Sequence, residues 1–310
     1  MTLLFVSAAD DPEEWAGALA ALRPDIPFRV WPDVGDPAAV RYALAWRPPA
    51  DALPGLPNLQ AIFSLGAGID GLADVPEALP PGVPVVRMVE EGLSAGMAEY
   101  VAWQVLDWHR GGALYRAQQQ AGEWRRRRSK LAGERRIGIL GLGVLGQSAA
   151  RMLTGLGFPV AGWSRTAKTV DQVVCHHGAD GLADLVAGSD ILVNLLPLTP
   201  QTEGLINADL IAALPKGAVL INAARGRHVV DVDLLAALDS GHLAGAALDV
   251  FSTEPLPPDH PFWRHPRIAL TPHVAALTLA RTAAPAVVAQ IARIERGEAP
   301  LHVVDTGRGY

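Results

Sequence analysis

Three ionisable residues in the second half of the chain stand where they could do chemistry. Arg225 lies in Leu220-Ile221-Asn222-Ala223-Ala224-Arg225-Gly226-Arg227, just past a run that reads as a strand. Glu254 lies in Leu248-Asp249-Val250-Phe251-Ser252-Thr253-Glu254-Pro255, past a second such run. His273 lies in Leu270-Thr271-Pro272-His273-Val274-Ala275, past a third. In open parallel sheets, ligands bind beyond the carboxyl ends of the strands. The three strand ends thus deliver a cation, an acid and an imidazole to one crevice. A guanidinium fork can hold a carboxylate and polarise the carbonyl next to it. When hydride adds to that carbonyl, an imidazolium can protonate the growing alkoxide. A carboxylate beside an imidazole fixes its orientation and favours its charged form. Taken singly, each residue reads as a structural histidine or a solvated charge. The ordered set suits reduction of a 2-keto acid.

A hydride donor has its own signature upstream. The turn Ile139-Leu140-Gly141-Leu142-Gly143-Val144-Leu145-Gly146 has the GxGxxG spacing, follows a strand and opens an amphipathic helix. Gly141 permits the tight turn, Gly143 lets the backbone approach a pyrophosphate, and Gly146 lets helix and strand pack closely. The pyrophosphate charge would face the helix N-terminus, where Val144 and Leu145 begin the first turn. The next strand ends at Trp163-Ser164-Arg165-Thr166-Ala167-Lys168. An NAD binder usually places an acid here for the ribose 2′-hydroxyl. Ser164, Arg165, Thr166 and Lys168 would instead attract and hydrogen-bond a 2′-phosphate. The expected cofactor is therefore NADPH. The competing reading is a pair of ordinary surface cations after a strand.

Short apolar runs alternate with helical patterns, the signature of βαβ units around parallel sheets, so the expected class is α/β. Strands are expected at 2–7, 27–31, 41–46 and 59–63, then at 137–140, 159–163, 191–195, 217–222, 245–249 and 268–271. Helices are expected at about 12–22, Ala95 to His109, onward to about Ala121, and Ala276 to Arg296. Asp231 reads as the N-cap of another that stops at Gly241.

Composition excludes several classes. A chain of 310 residues that is 50% hydrophobic can bury sizeable cores and is a soft prior for two domains. The one cysteine, Cys175, permits no internal disulfide and suits a reducing cytoplasm. The net charge of −6 argues against a general polyanion binder, and Arg125-Arg126-Arg127-Arg128 reads as a solvated face. The start, Thr2 to Ser7, lacks a basic leader and reads as a first strand. No apolar run approaches the length of a spanning helix. Neither a nucleic-acid nor a membrane partner is expected. Cys175-His176-His177 lacks a zinc spacing, so no metal is expected. His228 is expected to face solvent.

At this point the sequence resembles the D-isomer-specific 2-hydroxyacid dehydrogenases over nearly its whole length. The resemblance rests on Phe63 to Asp70, the glycine turn, Gly162 to Thr166, Val193 to Pro197, Ala224-Arg225-Gly226, Leu248 to Pro258, Thr271 to Ala276 and Arg308-Gly309-Tyr310. It implies two Rossmann-like domains with parallel sheets, the cofactor domain (96–276) inserted into the substrate domain (1–95 and 277–310). It implies Arg225 as the substrate-binding catalytic arginine, His273 as the acid/base that also touches substrate, and Glu254 as the histidine's partner. Backbone N–H groups of Ala67 and Gly68 would grip the substrate carboxylate, with Trp46 and Arg47 walling the pocket. Asp249 would meet the nicotinamide carboxamide, and Leu196, Pro197, Thr202 and Ala223 would line the cofactor. A small 2-keto acid such as glyoxylate or hydroxypyruvate is the implied substrate, and a homodimer the implied state. Trp124 could reach a neighbouring subunit or simply pack in that interface. Two other readings keep the fold: a reductase of a bulkier keto acid such as phenylpyruvate, and a non-catalytic dinucleotide-sensing protein.

Overall fold

The computed structural model describes residues 1–305; Arg308-Gly309-Tyr310, part of the resemblance, lie outside the described residues. The chain divides into two compact units, Met1–Leu93 with the chain from Leu277 onward, and Ser94–Ala276.

The first unit is built on five parallel strands, β1 (Thr2–Val6), β2 (Phe28–Val30), β3 (Val40–Ala45), β4 (Ala61–Ser64) and β5 (Val85–Val86). Their order is β2-β1-β3-β4-β5. Every residue of β1 and β4 is buried. Strands covered on both faces need no polar alternation, which is why these runs read as continuously apolar. Helix α1 (Pro12–Leu22) starts where it should: Asp11 accepts from the Glu13 N–H at 2.9 Å and Pro12 takes the first helical position. The short α2 (Asp70–Ala73) follows β4. The last helix, α9 (Ala280–Glu295), packs against α1.

The second unit carries α3 (Glu91–Arg110, its first turn in the first unit), α4 (Gly112–Ala121), β6 (Ile137–Leu140), α5 (Val144–Gly155), β7 (Val160–Ser164) and β8 (Val174–His177). Then come α6 (Gly178–Ala187), β9 (Ile191–Asn194), α7 (Ala208–Ala213), β10 (Ala218–Asn222), α8 (Asp231–Asp239), β11 (Leu243–Leu248) and β12 (Ile268–Leu270). The seven strands are all parallel, in the order β12-β11-β10-β9-β6-β7-β8. The chain winds outward from β6 in both directions, so the order reverses between β6 and β9. Such a switch point opens a crevice at the strand ends. The period of two decides which core each residue joins. Ile137, Ile139, Ile191, Val193, Val219 and Ile221 pack with Val101 and Val105 of α3 and Leu153 of α5. Leu140, Leu192, Leu220 and Leu248 face the other way, onto Leu185, Leu234 and Leu238.

The expected α/β class is observed, with five- and seven-stranded parallel sheets. Several elements differ from the sequence reading. β5 is only two residues long and β8 is an edge strand with no fully buried residue, so neither offers the apolar run that marks a strand. Helix α3 begins four residues early because the Glu90 carboxylate accepts from the N–H groups of Gly92 and Leu93 at 2.5 and 2.6 Å. Asp231 is the first helical residue of α8 and Val230 holds the cap position. α9 starts at Ala280 rather than Ala276.

Candidate active site

The glycine turn joins β6 to α5. Gly141 has φ +101°, a conformation side chains rarely adopt, and a Cβ there would lie 2.6 Å from the Leu195 carbonyl oxygen. A Cβ on Gly146 would overlap the Gly141 carbonyl oxygen, so helix and turn pack backbone to backbone. Gly143 is different: a Cβ there meets no protein atom within 4 Å. Gly143 is also the N-cap of α5, makes no side-chain cap bond, and is exposed together with Val144. Protein packing does not demand glycine at 143, whereas a pyrophosphate seated on this helix terminus does. Leu145 is half-buried behind it. The residues present therefore fit a dinucleotide.

At the end of β7, Ser164, Arg165, Thr166 and Lys168 behave as two pairs. Ser164 is buried and its hydroxyl donates to the Thr166 carbonyl at 2.8 Å, which folds the turn. Lys168 Nζ donates to the Leu142 carbonyl at 2.7 Å, which ties a cation to the glycine turn. Arg165 and Thr166 are exposed at the tip.

Across the switch point, strand-end side chains form a buried ladder. Asn194 and Asn222 are paired in register at the ends of β9 and β10. Asn194 Nδ2 donates to Asn222 Oδ1 at 3.0 Å, and Asn194 Oδ1 accepts from the Leu196 N–H at 3.2 Å. Asn222 Nδ2 donates to the Arg225 carbonyl at 3.0 Å. His228 closes the circuit. Its Nδ1 lies 3.1 Å from the Arg225 carbonyl oxygen and 3.3 Å from the Arg225 amide nitrogen, and its Nε2 3.2 Å from the Pro197 carbonyl oxygen. This corrects the sequence reading of His228 as solvent-facing: it is fully buried. A histidine in a polar loop gives no sign in sequence of such a partner set. Thr202 Oγ1 donates to the same Pro197 carbonyl at 2.7 Å. Leu196 and Ala223 are buried, and Leu196 joins the core with Leu140 and Leu220.

Arg225, Glu254 and His273 converge. His273 Nδ1–H donates to Glu254 Oε2 at 2.7 Å, and the Phe251 N–H donates to Glu254 Oε1 at 2.9 Å. Burial pushes the Glu254 carboxyl up, but the bonds from His273 and Phe251, with the charges of His273 and Arg225, outweigh it. The carboxyl ends below its ordinary value. Arg225 is half-buried, with Nη1 donating to the Ala224 carbonyl at 2.6 Å. The approach of its loop to the Glu254 loop depends on Gly226. A Cβ at 226 would overlap the backbone of Phe251 and Ser252. The bond to Glu254 engages Nδ1 of the His273 ring and not Nε2. Asp249 is 1% exposed and engaged by Thr271, Val274 and Ala275, so what the structure gives it is a hold on the His273 turn.

In the first unit, the loop after β4 carries Ala67 and Gly68, both half-buried. Ser64 Oγ donates to the Gly68 carbonyl at 3.0 Å. Trp46 lies against this loop: a Cβ on Gly66 or Gly71 would come within 3.1 or 2.6 Å of its indole. Arg47 is exposed with φ +45°, and its N–H donates to the Gly71 carbonyl at 2.9 Å.

Residues 102–275 match the model of the D-isomer specific 2-hydroxyacid dehydrogenase NAD binding domain. The chain belongs to this family. It is 44% identical to the glyoxylate/hydroxypyruvate reductase A of Serratia proteamaculans (strain 568), over 100% of both chains. Among solved structures it is similar to a D-isomer specific 2-hydroxyacid dehydrogenase from Xanthobacter autotrophicus Py2 in complex with NADPH and MES. That match has a TM-score of 0.96 and 44% identity, covering 100% of this chain and 99% of the other. It is also similar to an NADPH-dependent glyoxylate/hydroxypyruvate reductase from Sinorhizobium meliloti in complex with NADP and sulfate. There the TM-score is 0.93 at 40% identity, with 100% of both chains covered.

Two outcomes follow from this geometry. Gly226→Ala must push the Arg225 loop off the Phe251–Ser252 backbone; we expect a stability loss of about 1–3 kcal/mol in chemical denaturation, with loss of turnover. The depressed Glu254 carboxyl stabilises the folded state above its unfolded-state value, and that gain disappears as pH falls through the folded-state value. The stability gap between the parent and Glu254→Gln should therefore be full near neutrality and shrink from about pH 5 downward. A gap constant through the acid range would contradict the assignment.

Proposed function

We propose that this family member is an NADPH-dependent reductase of small 2-keto acids, turning glyoxylate into glycolate and hydroxypyruvate into D-glycerate. The carrying observation is the 2.7 Å bond from His273 Nδ1 to a carboxylate whose acidity also reflects the Arg225 charge. Similarity to reductases of these keto acids, two of them solved with NADPH or NADP, supports the substrate class and the cofactor. The second unit is the cofactor domain and the first the substrate domain.

When bound, the reduced nicotinamide supplies hydride to the keto carbon. The chain's own residues do the rest. The glycine turn and the N-terminus of α5 hold the pyrophosphate. Arg165 and Lys168, with the hydroxyl of Thr166, hold the 2′-phosphate, while Ser164 spends its one proton on the Thr166 carbonyl and folds the turn that presents them. The Arg225 guanidinium pairs with the substrate carboxylate and polarises the carbonyl. His273 gives the proton on its Nε2 to the carbonyl oxygen, and Glu254 keeps the ring turned and compensates its charge.

A homodimer is part of the same reading. Trp103 (54% exposed) and Leu106 sit one turn apart on α3, and Trp124 (94%) and Leu131 (76%) lie beyond α4. Large apolar side chains left in water over one stretch of chain mark an interaction face. The single thiol, Cys175, fits the reducing cytoplasm. Among the described residues no helix is long and apolar enough to cross a membrane.

The test is to follow loss of reduced-nicotinamide absorbance with purified protein and each keto acid. His273→Ala should lower kcat by roughly 10²–10⁴-fold with NADPH binding kept. Arg225→Ala should raise the keto-acid KM and lower kcat. Parent-like rates in both would refute the site. The parent should prefer NADPH to NADH, and Arg165→Ala with Lys168→Ala should cost about tenfold or more in NADPH kcat/KM while sparing NADH. A parent preference for NADH would overturn the cofactor assignment.

A further inference from the structure

We propose that Tyr100, on α3, is a positioning residue for His273 that acts through Thr271 and Asp249. The inference rests on the reading of His273 as the proton donor. It starts from a backbone constraint. His273 has φ +56°, a left-handed conformation that a residue with a Cβ adopts only when its surroundings impose it. The imposing group is Asp249. Its carbonyl accepts from the His273 N–H at 2.8 Å, its Oδ1 from the Val274 N–H at 2.9 Å, and its Oδ2 from the Ala275 N–H at 2.9 Å. Three successive amides of the turn end on this one residue.

The carboxylate is itself held. Thr271 Oγ1 donates to Asp249 Oδ1 at 2.6 Å, the short length of a charge-assisted bond. A hydroxyl has one proton, and that one is spent on the carboxylate. The 2.8 Å contact between Tyr100 Oη and Thr271 Oγ1 therefore has tyrosine as the donor. Burial pushes the Tyr100 phenol above its ordinary range, so it keeps that proton. Gln104, one helical turn on and also buried, opposes that shift without cancelling it. The result is a directional chain, Tyr100 to Thr271 to Asp249. Each donor strengthens the next. Hydrophobic packing alone would be served by phenylalanine at 100. What the hydroxyl adds is a fixed proton on Thr271, which then has no choice but to point at Asp249.

The test combines turnover with hydrogen exchange at the amides of Val274 and Ala275. Tyr100→Phe keeps the ring and removes the donor. It should lower kcat about fivefold, the weight of one buried hydrogen bond, with keto-acid KM and NADPH Kd within about twofold of the parent. Thr271→Val should cost more, and Thr271→Ser should restore most of the loss. Both Tyr100→Phe and Thr271→Val should speed exchange at the two amides. Tyr100→Phe should add nothing in a Thr271→Val background, because the path is already cut. The proposal is overturned if Tyr100→Phe leaves kcat unchanged, whether or not exchange quickens, or if it costs the same factor in both backgrounds. His273→Ala measured alongside separates the two readings. If that variant turns over like the parent, the role of His273 fails, and the exchange data still decide whether Tyr100 holds the turn.

Discussion

The arrangement depends on one contact, the hydrogen bond from His273 Nδ1 to the Glu254 carboxylate. An imidazole on a turn can rotate and can carry its proton on either nitrogen. A carboxylate at 2.7 Å removes both freedoms, because it accepts only from a protonated Nδ1 in one ring orientation. Glu254 can do this only if it stays ionised while partly buried. The Phe251 N–H and the nearby positive charges outweigh the burial. The same carboxylate that fixes the histidine is thus fixed by the loop that bears it.

That contact is possible because neighbouring strands end in register. β10, β11 and β12 pair residue by residue, with Asn222 opposite Leu248 and Leu248 opposite Leu270. The Arg225, Glu254 and His273 loops therefore leave the sheet at one level. Two small features then close the gaps between them: Gly226 lets the first loop meet the second, and Asp249 gathers the amides of the third. On the same side of the switch point, the paired asparagines and His228 tie the Arg225 loop to the Leu196–Pro197 segment. The two loops are thereby set by one polar circuit.

Much of this was readable in the residues. Buried parallel strands write themselves as apolar runs, and the runs at 137–140 and 191–195 match β6 and β9 closely. The glycine turn and the order Arg225, Glu254, His273 stand out in the sequence because each follows a strand. What stayed hidden depends on partners distant in sequence. Tyr100 is 171 positions from Thr271, and no spacing rule joins them. His228 looked solvated because its acceptor is the carbonyl of Pro197, 31 residues away. Edge strand β8 is not legible because its residues, Val174 to His177, are too polar and too exposed to form an apolar run.

The sharpest measurement is nitrogen and proton magnetic resonance of the His273 ring in protein labelled at histidine. The account predicts a proton on Nδ1, strongly downfield in a short bond, that disappears or moves sharply in Glu254→Gln. A ring protonated only at Nε2, or an Nδ1 proton indifferent to Glu254→Gln, would contradict it.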